Sequence, residues 1–144
     1  MTEQERTLCS ATAALLRASA AGAAWGLGLA LVAALVLALT GRSLPAVCWA
    51  AFALVALAGL AERYLALRLR FEQALFDGLA HGDIASLPLL DGTLDRLGLR
   101  RAGGLAEPLA ARVLAARLSI QRHGMVVILQ TVVFVIALAL QDPR

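Results

Sequence analysis

Three stretches of this chain, Ala20 to Thr40, Leu44 to Ala61 and Met125 to Leu140, contain no Asp, Glu, Lys, Arg or His. That absence constrains the fold more than any other feature. A helix that crosses the roughly 30 Å hydrocarbon layer of a bilayer needs about 20 mostly apolar residues, and a helix satisfies its own backbone hydrogen bonds there. The first stretch has that length unaided. The other two reach it by borrowing Arg42, Ser43, Gly124 and Gln141 at the interface or by local thinning of the bilayer. With 60% of its 144 residues hydrophobic and 16% charged, the chain has too little polar material to cover three such helices as a soluble core. The expected fold is an all-α integral membrane protein with three transmembrane helices and a small helical cytoplasmic domain between the second and third.

A cleaved signal peptide is the competing reading of the first stretch. Residues 1–19 carry Glu3 and Glu5 against only Arg6 and Arg17, and the apolar run exceeds a usual signal core, so an uncleaved anchor is expected. No convincing lipidation motif precedes Cys9 or Cys48.

Orientation follows from the basic residues nearest the span ends, which resist translocation. All thirteen are arginine, a composition suggestive of a GC-rich bacterial genome. Arg6, Arg17, Arg63, Arg68, Arg70, Arg112, Arg117 and Arg122 lie on one side, against Arg42 and Arg144 on the other. The expected localisation is therefore the bacterial inner membrane, with the amino terminus cytoplasmic and the carboxy terminus periplasmic. The expected organisation is a cytoplasmic amino-terminal helix over 1–19, a transmembrane hairpin over 20–61 (spans 20–40 and 44–61), a cytoplasmic helical stalk over 62–123, a third span over 124–141 and an external tail over 142–144.

Local signals fill in that plan. Thr2 and Glu5 have capping-box spacing, and Leu8, Ala11, Leu15 and Ala18 recur on one face of a first helix, which either runs into the first span or lies on the membrane surface. Gly41 and Pro45 mark a tight turn between spans one and two. Beyond Ala61 the chain meets no breaker until Gly78 and Gly82, so the second span extends into the stalk. Two apolar stripes run along this extension: Tyr64, Leu67, Phe71 and Leu75, and Leu65, Leu69, Phe76 and Ala80. Two stripes predict two neighbours. Arg68 and Glu72 are spaced to pair, while Arg63, Arg70, Gln73 and Asp77 form a wet face.

The returning segment, 108–123, opens with Pro108 in a position suited to a first helical turn. Leu109, Val113, Ala116 and Ile120 line one face, and Ala111, Leu114 and Leu118 another. It leads through Gly124 into the third span, and the two extensions, each about 25 to 28 Å long, are expected to pair antiparallel. Between them, Ile84 to Leu99 reads as a short helix capped by Ser86 with Pro88 in its first turn, against a competing hairpin signal at Asp91 and Gly92. Residues 100–106 are the expected linker.

Chemistry-bearing constellations are sparse. Gly22 and Gly26 form a GxxxG pattern continued by Ala24 and Gly28, and Ala46, Ala50 and Ala53 flatten the second span; small residues let helix backbones approach within the chain or across an oligomer. Gln130 and Thr131 are the polar exceptions in the third span, where a buried amide acts as interhelical glue or contacts a substrate. His81 and His123 fall at opposite ends of the stalk and so do not share a metal or heme. Asp83, Asp91 and Asp95 lack EF-hand spacing, and Asp91 and Asp95 read as a helix's polar face. The two cysteines fall on opposite sides of the bilayer and cannot bridge.

No phosphate loop, nucleophile elbow, HExxH or paired CxxC motif occurs. The arginines alternate with seven acids between Glu62 and Glu107, a mixture unlike a nucleic-acid-binding stripe. With no ionisable residue inside a span, ion-coupled transport is not indicated. No catalytic, cofactor-binding or metal-binding residue and no small-molecule substrate is expected. The leading expectation is a non-catalytic accessory or assembly protein that meets the lipid bilayer and either another membrane protein or its own copies. Its partner-binding residues are Gly22, Gly26, Tyr64, Arg68, Phe71, Glu72 and Phe76. A self-assembling, holin-like permeability factor is the alternative, and a small membrane enzyme a more distant one.

Overall fold

The computed structural model describes residues 2–98 and 108–141. Among them there are five helices and no strand: α1 (Glu3–Ala18), α2 (Ala20–Thr40), α3 (Ala46–His81), α4 (Leu87–Arg96) and α5 (Leu109–Ala139). Three helical stretches, Glu3–Thr40, Ala46–His81 and Leu109–Ala139, are long and apolar enough to cross a membrane. The expected linker over 100–106 and tail over 142–144 lie outside the described residues.

Each helix start expected from side-chain chemistry has a physical counterpart. The Thr2 backbone N–H donates to Glu5 Oε2 at 2.7 Å and the Glu5 N–H donates to Thr2 Oγ1 at 3.3 Å, closing the capping box. Ser86 Oγ accepts from the Leu89 N–H, with a proline in the first turn of α4, so helix wins over hairpin at Asp91–Gly92. Between α2 and α3 the turn is held by the Gly41 N–H donating to the Leu37 carbonyl and the Ser43 N–H donating to that of Thr40. Between α1 and α2, Ser19 keeps helical backbone angles (φ −65°, ψ −17°).

The chain divides into two compact groupings: Met1–Arg17 with Leu69–Ser119, and Ala18–Arg68 with Ile120–Arg144. In the first, the buried apolar residues are Cys9, Ala13 and Leu16 from α1, Leu69, Phe76 and Leu79 from α3, Leu90 from α4, and Leu109 and Ala116 from α5. Polar contacts tie these elements together. Arg17 pairs with Asp77 at 2.9 Å, and Arg112 pairs with Asp91.

One expectation is corrected in this grouping. Asp91 is buried rather than solvated, because it turns inward to meet Arg112. Asp77, read as part of a wet face, keeps a partly exposed setting and pairs there with Arg17.

In the second grouping, Leu29 and Ala33 of α2, Phe52 and Val55 of α3 and Ala137 of α5 form a continuous core. Phe52 meets Phe134 edge-on with ring centroids 5.8 Å apart. The flat face expected of the second span does not supply these contacts: Ala46 and Ala50 are exposed, and Cys48, Phe52 and Val55 point inward instead.

Burial along the long helices follows a seven-residue period. In α3 the buried positions Cys48, Val55, Glu62, Leu69 and Phe76 are spaced by seven, as are Phe52, Gly59 and Ala66; in α5, Leu109, Ala116, His123, Gln130 and Ala137 form an equivalent column. A 3.5-residue repeat is the signature of helices that keep one seam turned inward over many turns. It explains why α3 has one neighbour-facing side and not two. Tyr64 and Leu67 are 70% and 69% exposed, whereas Leu69 and Phe76 are buried, so the first expected stripe is left open and the second is filled.

Candidate polar cluster in the helical core

Two charged or titratable side chains share the seam of the second grouping with an amide. Glu62 is 1% exposed, His123 2% and Gln130 2%. Glu62 follows immediately on the second charge-free run and His123 lies just before the third, so the absence of charge in the runs does not extend to the core. Each helix continues unbroken past the end of its apolar run, and the seven-residue period carries Glu62 and His123 inward as the next residues on the seam.

Glu62 Oε1 and His123 Nε2 stand 4.0 Å apart. Among the described residues, neither carboxylate oxygen of Glu62 and neither ring nitrogen of His123 has a hydrogen-bond partner. The space for them comes from α2. A Cβ on Gly26 would fall on the Glu62 carboxylate, and one on Gly22 would lie 3.7 Å from His123 Nε2. The GxxxG pattern is thus engaged inside the chain, with one glycine facing each member of the pair. Gly28 and Ala24 turn outward, and nothing lies near a Cβ at Gly28.

Gln130 Nε2 donates to the Gly26 carbonyl at 3.0 Å and to the Val55 carbonyl at 3.2 Å, so one amide joins α5 to both α2 and α3. This is the interhelical glue expected of it. Its Oε1 is buried and meets no donor among the described residues. Thr131 is drawn into a separate contact: it accepts from Trp25 Nε1 at 3.1 Å while donating to the Val127 carbonyl.

The remaining candidates sort simply. Tyr64, Arg68 and Phe71 are exposed, Glu72 is half-buried and Phe76 is 6% exposed. His81 is exposed and its Nδ1 lies 2.9 Å from the Asp77 carbonyl oxygen. Cys9 and Cys48 are buried free thiols in different groupings. Among the described residues no group of three or more His, Cys, Asp or Glu side chains converges in a way that could hold a metal ion.

No protein-family model, curated protein or solved structure matches the chain.

Proposed function

We propose that the chain is a non-catalytic accessory or assembly protein of the bacterial inner membrane, which contacts another membrane protein through the helices that continue beyond its spans. Support for the membrane comes from the outward residues of all three long helices. Leu31, Leu35 and Leu39 on α2, Leu54, Leu57 and Leu60 on α3, and Ile128, Leu129, Val132, Val135 and Ile136 on α5 are exposed, an apolar surface far larger than a water-soluble monomer carries. Arginine asymmetry supports a cytoplasmic amino terminus and a cytoplasmic segment between α3 and α5.

The observation that carries the accessory reading is the open stripe of Tyr64, Leu67 and Phe71 beside exposed Arg68. Phe76 and Gly26 are already occupied within the chain, which narrows the proposed partner surface to Tyr64, Arg68 and Phe71, with Glu72 at its edge. A self-assembling pore draws less support, because the glycines it would use face Glu62 and His123 of the same molecule.

Photo-crosslinking residues placed at Tyr64, Phe71 and, as a lipid-facing reference, Leu57 test this in native membranes. A discrete protein adduct from Tyr64 and Phe71 but not from Leu57 is expected. Lipid adducts alone from all three positions would remove the basis for the reading.

A further inference from the structure

We infer that Glu62 and His123 together form a proton-binding site in the core of the helical bundle, holding one exchangeable proton between a carboxylate of α3 and an imidazole of α5. The argument begins with burial. A lone ionised group taken out of water costs several kcal/mol in real proteins, and both side chains are at most 2% exposed.

Two arrangements avoid a net charge: a carboxylate with an imidazolium, or a carboxylic acid with a neutral imidazole. Each holds one proton more than a carboxylate with a neutral imidazole. They interconvert when the acid's O–H bond breaks, its electron pair stays on the carboxylate, and an N–H bond forms at Nε2. Removing that proton strands an anion, and adding a second strands a cation, so the core favours single occupancy.

The surroundings leave the proton to these two groups. Among the described residues no other hydrogen-bond partner competes for Glu62 Oε1, Glu62 Oε2, His123 Nδ1 or His123 Nε2. From α2, the facing residues are Gly22 and Gly26, and Ala20–Thr40 contains no ionisable side chain. On α3 and α5 the adjacent charges are Arg63 and Arg122, both exposed; Arg63 is close enough to favour the Glu62 carboxylate, and burial opposes it more strongly. The separation of 4.0 Å exceeds a hydrogen bond by about 1 Å, and no other side chain stands between the two groups in the contacts of Gly22 and Gly26.

A purely space-filling role fits poorly, since such a role is served as well or better by apolar residues. A structural polar role would come with the hydrogen bonds that Gln130 makes and this pair does not.

Nitrogen-15 NMR of the histidines in the full chain, reconstituted in lipid nanodiscs and titrated with acid and base, tests the site. There are two histidines in the sequence, and exposed His81 serves as the internal reference. Glu62→Gln is expected to lower the proton affinity of His123 by at least about tenfold, the threshold for strongly coupled sites, and to leave His81 unmoved. The carboxyl infrared band of Glu62, titrated in the unsubstituted chain and in His123→Gln, reads the same coupling from the other side and does not depend on Glu62→Gln folding. Its midpoint is expected to move by a comparable factor, because coupling is reciprocal. Unchanged titration of His123 in Glu62→Gln, or of Glu62 in His123→Gln, would overturn the assignment.

Discussion

Gly59 of α3 lies against the methyl group of Ala30 on α2 so closely that a Cβ at position 59 would overlap it. Neither side of this contact has a flexible end that could swing aside. Gly59→Ala is therefore expected to force the helices apart and cost about 1–3 kcal/mol, the range for overpacking. Gly28→Ala is the matched control: its Cβ would meet nothing within 4 Å, and it is expected to stabilise α2 by about 0.5–1 kcal/mol. Reversible unfolding of the purified protein separates the two, and equal effects would show that this approach is not a packing constraint.

Gln130 bridges two carbonyls that already belong to helices, so its bonds are additional to the backbone ladder. Gln130→Leu keeps most of the volume and is expected to cost only about 1 kcal/mol, in line with interhelical hydrogen bonds in membranes. Gln130→Ala also opens a cavity and is expected to cost more. The same unfolding assay, run on both variants, should rank them in that order.

Two ion pairs in the other grouping differ in solvent access. The Arg112 and Asp91 side chains are 17% and 9% exposed, against 65% and 28% for Arg17 and Asp77. Asp91→Ala leaves a nearly buried guanidinium without this carboxylate and is expected to cost about 3 kcal/mol. Arg17→Ala removes a screened surface pair and should cost less than about 1 kcal/mol. Proteolysis rates of the two variants provide the comparison; faster cleavage of Arg17→Ala would contradict it.

Both native cysteines are at most 1% exposed, so thiol labelling of the folded chain starts from a low background. Cysteines placed at exposed Arg42 and Asp83 then report topology. In intact cells an impermeant maleimide is expected to modify Arg42→Cys directly and Asp83→Cys only after permeabilisation. Direct labelling of Asp83→Cys, with Arg42→Cys reached only after permeabilisation, would reverse the proposed orientation, and direct labelling of both would overturn the membrane hairpin.

Local chemistry was legible in the sequence because it acts over three or four residues. Thr2 with Glu5, Ser86 with Pro88, and the turn from Gly41 to Pro45 each announce a boundary whose partners are close by in the chain. Glu62 and His123 were not legible as a buried pair because dividing the chain at its first charges assigns them to the polar segment, although their seven-residue spacing from Val55 and from Gln130 places them on the buried seam. The open face of Tyr64 and Leu67 was beyond the sequence for a different reason. Periodicity identifies a face, but the same apolar side chains suit lipid, a partner protein or a neighbouring helix. For the same reason GxxxG alone could not reveal that Gly22 and Gly26 face side chains of their own molecule.

His123 and Gln130 are two turns apart on α5, a rise of about 10.5 Å, and they present different chemistry to the helices beside them. Sliding α5 by that distance would bring an amide or an alanine level with the Glu62 carboxylate and withdraw the donor from the Gly26 and Val55 carbonyls. Greasy side chains alone would tolerate such an offset at small cost. The polar pair of positions instead acts as a vertical gauge, so α5 has one depth at which every group finds its counterpart.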